Sequence, residues 1–149
     1  MNPMRRLGMA ALLVALAAIL AASSAFAGRP PKPVESYTYQ LTPPEIDPPE
    51  PQASGRWTKT VNWAYTHPRT DVEVSSVRLT AGELYFVVAS VSWTDPWGNH
   101  GSYQAGRAFT ADGKGRLAAR FSVQEWERQV WVDDLWIEKD GNVVLETRR

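Results

Sequence analysis

The sequence contains no cysteine and only two histidines, and both shortages limit its chemistry. Without cysteine the chain has no disulfide, no thiolate nucleophile and no sulfur ligand for a metal. His67 and His100 lie in turn-forming sequence, and no nucleophile elbow of the kind that a serine triad uses is visible. We therefore predict a non-enzymatic protein with no catalytic residues, no cofactor and no metal site.

An excess of positive charge is also missing. The chain has 16 basic and 16 acidic residues, and removal of Arg5 and Arg6 would leave 14 basic residues against 16 acidic ones. Such a balance does not attract the phosphate backbone of nucleic acids or an anionic membrane surface. We expect no nucleic-acid partner.

The start of the sequence has the pattern of a secretory signal peptide. Arg5 and Arg6 precede an apolar run over residues 7–20, and small residues follow up to Ala27. The alternative is a membrane anchor, but the strongly apolar run is shorter than the roughly 20 residues that a spanning helix needs. The pattern predicts a signal peptide over residues 1–27, a periplasmic or secreted location, and no stable membrane span after cleavage.

Proline dominates the next segment, since eight of the 11 prolines fall within residues 29–51. Proline lacks an amide hydrogen and has a restricted φ angle, which disfavours helices and central strands. We predict a proline-rich linker over residues 28–54, either a passive spacer or a docking peptide for a partner in the envelope. Residues 35–41 interrupt the prolines with an alternating pattern, and they could add to a sheet as an edge strand.

Residues 55–149 show short alternating segments separated by glycine-containing turns, and no sustained helical period. This pattern predicts an all-β fold, a small antiparallel β-sandwich, immunoglobulin-like or related, of about seven strands. A small β-barrel is the alternative. We prefer the sandwich because the longer connections at residues 95–101 and 124–128 suit crossings between sheets. The predicted strands cover residues 57–66, 72–80, 84–94, 103–110, 117–123, 130–137 and 142–147.

Two strands change the phase of their alternation. Between Val132 and Leu135 the apolar spacing is three residues, which predicts a β-bulge at Asp133 and Asp134, with a cation or ligand site as the alternative. A similar slip is predicted at residues 75–76. Residues 109–123 resemble hairpins of bacterial immunoglobulin-like and transthyretin-like modules, and residues 130–137 resemble a strand of carbohydrate-binding jelly rolls.

Tryptophan is abundant, and all seven tryptophans lie beyond the predicted signal peptide. Two of them alternate with the apolar residues of one predicted strand, so they are expected to face away from the core. Others lie in loops, beside polar residues that could also hold a cation at residues 95–101. We predict binding residues at Trp97, Trp126, Trp131, Trp136, Asn99 and His100.

The first functional hypothesis is an exported binding domain that contacts a protein partner or a glycan through exposed tryptophans. A second hypothesis is a structural component of a cell-envelope or surface assembly, joined through exposed strand edges. A small hydrolase is the third, and it would need two carboxylates across a cleft. The sequence leaves the ligand and the oligomeric state open.

Overall fold

The computed structural model describes residues 34–63 and 67–148, which form one nearly closed antiparallel sheet. Its strands are β1 (Val34–Thr42), β2 (Ser54–Asn62), β3 (Arg69–Val77), β4 (Leu84–Thr94), β5 (His100–Thr110), β6 (Leu117–Val123), β7 (Gln129–Lys139) and β8 (Asn142–Thr147). The strand order is β5-β4-β7-β8-β1-β2-β3-β6. The prediction of a small antiparallel all-β fold is confirmed, and the single sheet corresponds to the barrel alternative.

The strand that makes the sheet continuous is β1, in a segment whose composition predicts a linker. β1 pairs along its length with β2 and joins β8 only at Leu41 and Thr42. Without β1, the strands β5-β4-β7-β8 and β2-β3-β6 would be two separate sheets, as a sandwich requires. The linker interpretation is therefore wrong for residues 34–42. These residues contain no proline, so every backbone amide in the segment can donate a hydrogen bond.

The strand that the alternation at residues 35–41 allows does form, but between β2 and β8 rather than at an edge of the sheet. Two later residues of the predicted linker are also held against the fold. Ala53 is buried, and the Glu50 carboxylate accepts hydrogen bonds from Tyr85 Oη (2.5 Å) and Thr80 Oγ1 (2.8 Å). The predicted signal peptide and residues 28–33 lie outside the described residues. In the described part of the chain, no helix has the length and apolar character that crossing a membrane requires.

The seven strands predicted beyond residue 54 are all present, with shifted ends. β2 begins at Ser54 and ends at Asn62, before residues 64–66, which lie outside the described part. β5 begins at His100, earlier than predicted, because Thr94 pairs with His100 and the hairpin closes directly after the turn. The predicted bulge in β7 is confirmed, since Val132 pairs with Val91 while Asp134 pairs with the adjacent Ser90.

The predicted phase slip in β3 is wrong. Ser76 continues the inward positions of the strand and is 2% exposed, whereas Val77 points outward and is 42% exposed. The change of direction comes after the strand, where Arg78 has a φ of 61° and Leu79 returns to the core. A serine therefore occupies an interior position that periodicity assigns to an apolar residue.

The core lies between the inner faces of the curved sheet. Trp57 on β2 is fully buried, stacks on Tyr39 of β1 with ring centroids 4.6 Å apart, and donates from Nε1 to Thr147 Oγ1 at 3.0 Å. These contacts tie β1, β2 and β8 together. The largest fully buried side chains are Trp57, Tyr85, Leu41, Leu117, Leu135, Ile137, Leu145, Val72, Val87, Val91, Val130 and Val132.

Two tyrosines with raised pKa values, the buried Tyr85 and the half-buried Tyr103, predict the alkaline limit of stability. Burial, followed by the hydrogen bond to Glu50, raises the pKa of Tyr85 to about 12. Burial, followed by the hydrogen bond to Glu125, raises the pKa of Tyr103 to about 12. Below pH 10 both groups are protonated in the folded and unfolded chain, so their contribution is complete. As the pH rises from 10 through about 12, the unfolded chain releases protons that the folded chain keeps, and stability falls.

Denaturant unfolding of the wild type at pH 8, 10, 11 and 12 measures this loss. The variant carrying Tyr85→Phe and Tyr103→Phe is expected to be less stable at pH 8, because it lacks the hydrogen bonds of the Tyr85 hydroxyl with Glu50 and Thr80. Its stability is expected to fall less than that of the wild type between pH 10 and 12. Equal slopes for the two proteins would contradict the assignment of these tyrosines.

Candidate functional site

One end of the barrel, which we call the loop end, collects most of the predicted binding residues. It consists of the connections at residues 95–99 and 124–128 with the adjoining strand ends. Thr94, the last residue of β4, pairs with His100 of β5 and with Gln129 of β7. Both connections therefore leave the sheet at neighbouring positions of the same end.

The connection at residues 95–99 is a compact turn built on one carboxylate. Asp95 accepts hydrogen bonds from the backbone N–H of Trp97 (3.0 Å) and from the backbone N–H and side-chain amide of Asn99 (both 2.8 Å). Gly98 closes the turn with a φ of 86°. Desolvation opposes ionisation of Asp95, but the hydrogen bonds from Asn99 and Trp97 hold its pKa below the usual value. Asp95 and Asn99 thus shape the turn.

The turn between β5 and β6 has the same construction. Asp112 accepts from the backbone N–H of Lys114 (2.8 Å) and of Arg116 (2.9 Å), and Gly115 has a φ of 67°. In both turns the residue two positions after the aspartate contributes its backbone N–H to the carboxylate. That residue is Lys114 in one turn and Trp97 in the other. The turn therefore does not require an indole at position 97.

Trp97 and Trp126 are the two most exposed tryptophans of the described chain, with 83% and 80% of their surface accessible. Trp97 lies at the tip of its turn, and Trp126 lies between Glu125 and Glu127 in the connection before β7. Because both indoles remain in water, they add no stability through apolar burial in the free protein. Their rings are available for a ligand to cover.

The loop end also contains a cluster of aromatic and charged side chains that sequence reasoning missed. The Arg128 guanidinium lies over the Trp93 ring, 4.1 Å from its centroid, and 3.8 Å from the Glu125 carboxylate. Trp93 in turn lies against Gly101, where an added Cβ would come within 2.7 Å of the ring. Glu125 also contributes to the raised pKa of Tyr103 on β5. The sequence shows the charged residues at 125 and 128, but their aromatic neighbours Trp93 and Tyr103 lie on β4 and β5.

The remaining predicted residues are distributed over different surfaces. His100 is exposed at the start of β5, beside the turn. Trp131 lies on the outer face of β7, opposite Ser92 and close to the loop end, and it is half-buried. Trp136 lies farther along the same face, donates from Nε1 to Glu138, and lines a groove with Pro43 and Ile46. The structure thus brings Trp97, Asn99, His100 and Trp126 to one end, places Trp131 beside it, and separates Trp136.

The alternative cation sites have simple structural explanations. The Asp95 carboxylate already accepts three hydrogen bonds within its turn. Asp133, at the bulge, forms a short hydrogen bond with Ser92 of the neighbouring strand. Within residues 34–63 and 67–148, no group of three or more histidine, aspartate or glutamate side chains is placed to hold a metal ion.

A second feature missed in the sequence is an inward-pointing lysine. Lys59 interrupts the apolar parity of β2 and follows Trp57 on the inner face. Its ammonium group donates to the backbone carbonyl of Val132 at 2.9 Å and lies 5.6 Å and 5.5 Å from the ring centroids of Tyr37 and Tyr39. The only sequence signal was the single charged residue in an otherwise regular pattern.

Chemically, the loop end offers flat aromatic surface surrounded by hydrogen-bonding groups of both charges. Such an arrangement can stack on and orient a ligand. No family model, no curated protein and no solved structure matches this chain.

Proposed function

We propose that this protein is an exported, non-enzymatic binding module that holds its ligand at the loop end through Trp97 and Trp126. The observation that carries the proposal is Trp97, an 83% exposed indole on a turn whose counterpart carries Lys114. A hydrophilic residue would serve the turn equally well and would cost nothing in solubility. Export rests on the signal-peptide pattern of residues 1–27.

A glycan is the ligand class that suits this surface best. The apolar face of a sugar ring can stack on an exposed indole, and its hydroxyl groups need donors and acceptors nearby. Asn99, His100 and Glu127 are exposed around the two indoles and supply both. Because the turn is fixed by Asp95, the ring of Trp97 is presented with little loss of backbone freedom on binding.

A protein partner is the second candidate, and the stack of Arg128 on Trp93 favours it. Tryptophan and arginine are the residues enriched at the energetic centres of protein interfaces. Here a half-buried arginine, held by Trp93 and Glu125, lies in the connection that carries Trp126. A partner that covers Trp97 and Trp126 would reach this arginine as well.

Intrinsic tryptophan fluorescence distinguishes the two candidates. The full chain is titrated with soluble oligomers of glucose, N-acetylglucosamine, xylose and mannose, and at least one is expected to shift or quench the emission saturably. Trp97→Ala and Trp126→Ala should each weaken that binding at least tenfold, about 1.4 kcal/mol. Lys114→Ala, at the equivalent position of the other turn, is the matched control and should change it less than twofold.

Each other outcome has a definite meaning. Absence of a response to every oligomer removes the glycan version and leaves the protein partner. Binding that survives both tryptophan substitutions removes the loop end as the site. Shortened oligomers after incubation, detected by chromatography, would restore the small hydrolase.

A further inference from the structure

β8 fills the sheet between β7 and β1 over only part of their length. It pairs with β7 at Trp136–Lys139 and with β1 at Leu41 and Thr42. Beyond Thr147, one edge of β1 and one edge of β7 have no strand partner among the described residues. These open edges cover residues 34–39 of β1, whose other edge pairs with β2, and residues 129–133 of β7, whose other edge pairs with β4. We call the space between these two edges the β1–β7 slot.

Side chains satisfy the edge of β7 where β8 stops. Thr147 Oγ1 donates to the Leu135 carbonyl at 2.7 Å and accepts from the Leu135 N–H at 3.3 Å. One step further, the Lys59 ammonium donates to the Val132 carbonyl at 2.9 Å. A hydroxyl and an ammonium thus make the contacts that the backbone of a longer β8 would make. Residues 129–139 contain no proline, so the backbone N–H groups of this edge can donate hydrogen bonds to an added strand.

The interior side of the slot carries a positive charge, and Glu35, on the same face of β1, accepts a hydrogen bond from Tyr37 Oη at 3.0 Å. Within the described part of the chain no carboxylate lies within 4.0 Å of Lys59 Nζ. The cation lies instead beside the rings of Tyr37 and Tyr39, and Tyr37 is 46% exposed. A partly buried ammonium with only a neutral carbonyl acceptor is incompletely compensated, and a carboxylate beside it would form a stronger, charge-assisted hydrogen bond.

We propose that the β1–β7 slot is a strand-addition site that binds an extended segment of a partner protein with a carboxylate side chain facing Lys59. The incoming strand runs in the direction of β8, antiparallel to both neighbours, and its backbone pairs with the two open edges. Side chains alternate between the interior and the outer wall, so one inward position meets Lys59.

The register of β8 specifies that position. Thr147 lies opposite Leu41, so a strand continuing β8 would place its inward residues opposite Tyr39 and then Tyr37. Tyr37 lies directly opposite Lys59 on β2. The carboxylate is therefore expected opposite Tyr37. The chain's own residues 28–33 are a poor occupant by composition, since they contain three prolines and two basic residues.

The test uses synthetic seven-residue peptides of alternating threonine and valine with glutamate, glutamine or lysine at the centre, added to the full chain. We expect the glutamate peptide to bind at least tenfold more tightly than the lysine peptide. Bound peptide should slow amide hydrogen exchange in residues 34–39 and 129–133 together. Lys59→Met should reduce the preference for glutamate to less than twofold, whereas Lys114→Met, on an exposed turn, should leave it unchanged.

A second version makes the interaction intramolecular, which raises the effective concentration. Six residues of alternating threonine and valine are appended after Arg149, with glutamate at the second added position, opposite Tyr37 by the β8 register. The control extension carries the glutamate at the first added position, which faces outward. The inward version is expected to raise the Tm by at least about 4 °C over the control and to protect both edges.

These experiments distinguish strand addition at the slot from ligand binding at the loop end. It is overturned if neither peptide nor extension protects both edges, if the two extensions behave alike, or if the chain without peptide dimerises through residues 34–39. If both edges are protected from hydrogen exchange only in the extended protein, the result still supports strand addition at the slot. The slot is independent of the loop end, so Trp97→Ala and Trp126→Ala should leave peptide binding unchanged, and loss of glycan binding does not affect it.

Discussion

Replacing Gly115 with alanine is expected to destabilise the folded chain by about 3–5 kcal/mol. An added Cβ at this position would lie 2.1 Å from the Leu79 carbonyl oxygen, which is backbone and cannot rotate away. Gly115 also has a φ of 67°, a conformation that costs alanine about 1–2 kcal/mol. Relief of the clash would break the hydrogen bond from Leu79 N–H to the Gly115 carbonyl, now 3.0 Å long. Steric strain, φ strain and a lost hydrogen bond add together.

Gly98→Ala is the matched control, because Gly98 occupies the equivalent position of the other turn. Its φ is 86°, but an added Cβ would meet nothing within 4 Å. We expect a loss of only about 1–2 kcal/mol, the φ term alone. Urea unfolding of both variants measures the difference, and similar losses would show that the packing of Leu79 on the β5–β6 turn is unimportant.

Trp57→Ala should cost about 3–5 kcal/mol, since it removes the largest fully buried side chain of the barrel. The cavity would open beneath Tyr39, whose ring is 4.6 Å away, and Thr147 would lose the indole N–H. Because these contacts join β1 to β2 and β8, residues 34–42 should also lose protection from hydrogen exchange. Urea unfolding and exchange together test both effects.

Trp57→Phe separates packing from hydrogen bonding, because it keeps a ring beside Tyr39 but removes the donor to Thr147. We expect a smaller loss than for alanine. Trp97→Ala, at an exposed position, should change the free energy of unfolding by less than about 0.5 kcal/mol. If Trp57→Ala lowered the free energy of unfolding as little as Trp97→Ala, the contacts of Trp57 would not be what joins β1 to the sheet.

The contrast between these tryptophans bears on function. Trp57 is fully buried in the core, whereas Trp97 and Trp126 contribute little buried surface within residues 34–63 and 67–148. A substitution at either exposed indole therefore tests binding without disturbing the fold. Lys59 differs from both groups, because it stands at an opening of the barrel and compensates a carbonyl of β7.

Much of the fold could be read from local patterns. The bulge in β7 was predictable because the apolar residues on its two sides are an odd number of positions apart. The Asp112 turn was predictable because aspartate and glycine together satisfy the backbone of a tight reversal. The same logic failed at Ser76, where a small polar side chain faces the interior directly opposite Gly55, a position with no room for a larger residue.

The sequence by itself determined the β class, the turns and the parity that turns Trp131 and Trp136 away from the core, because each depends on residues close together in the chain. Only the tertiary structure decided that residues 34–42 join the sheet. Strand pairing depends on the edge a distant segment offers, and here β2 and β8 offer it. Tertiary structure also decided which indoles stay exposed and that Lys59 meets Val132, since these depend on what crosses the barrel. Alternation assigns a side chain to a face, but what covers that face depends on strands far away in sequence.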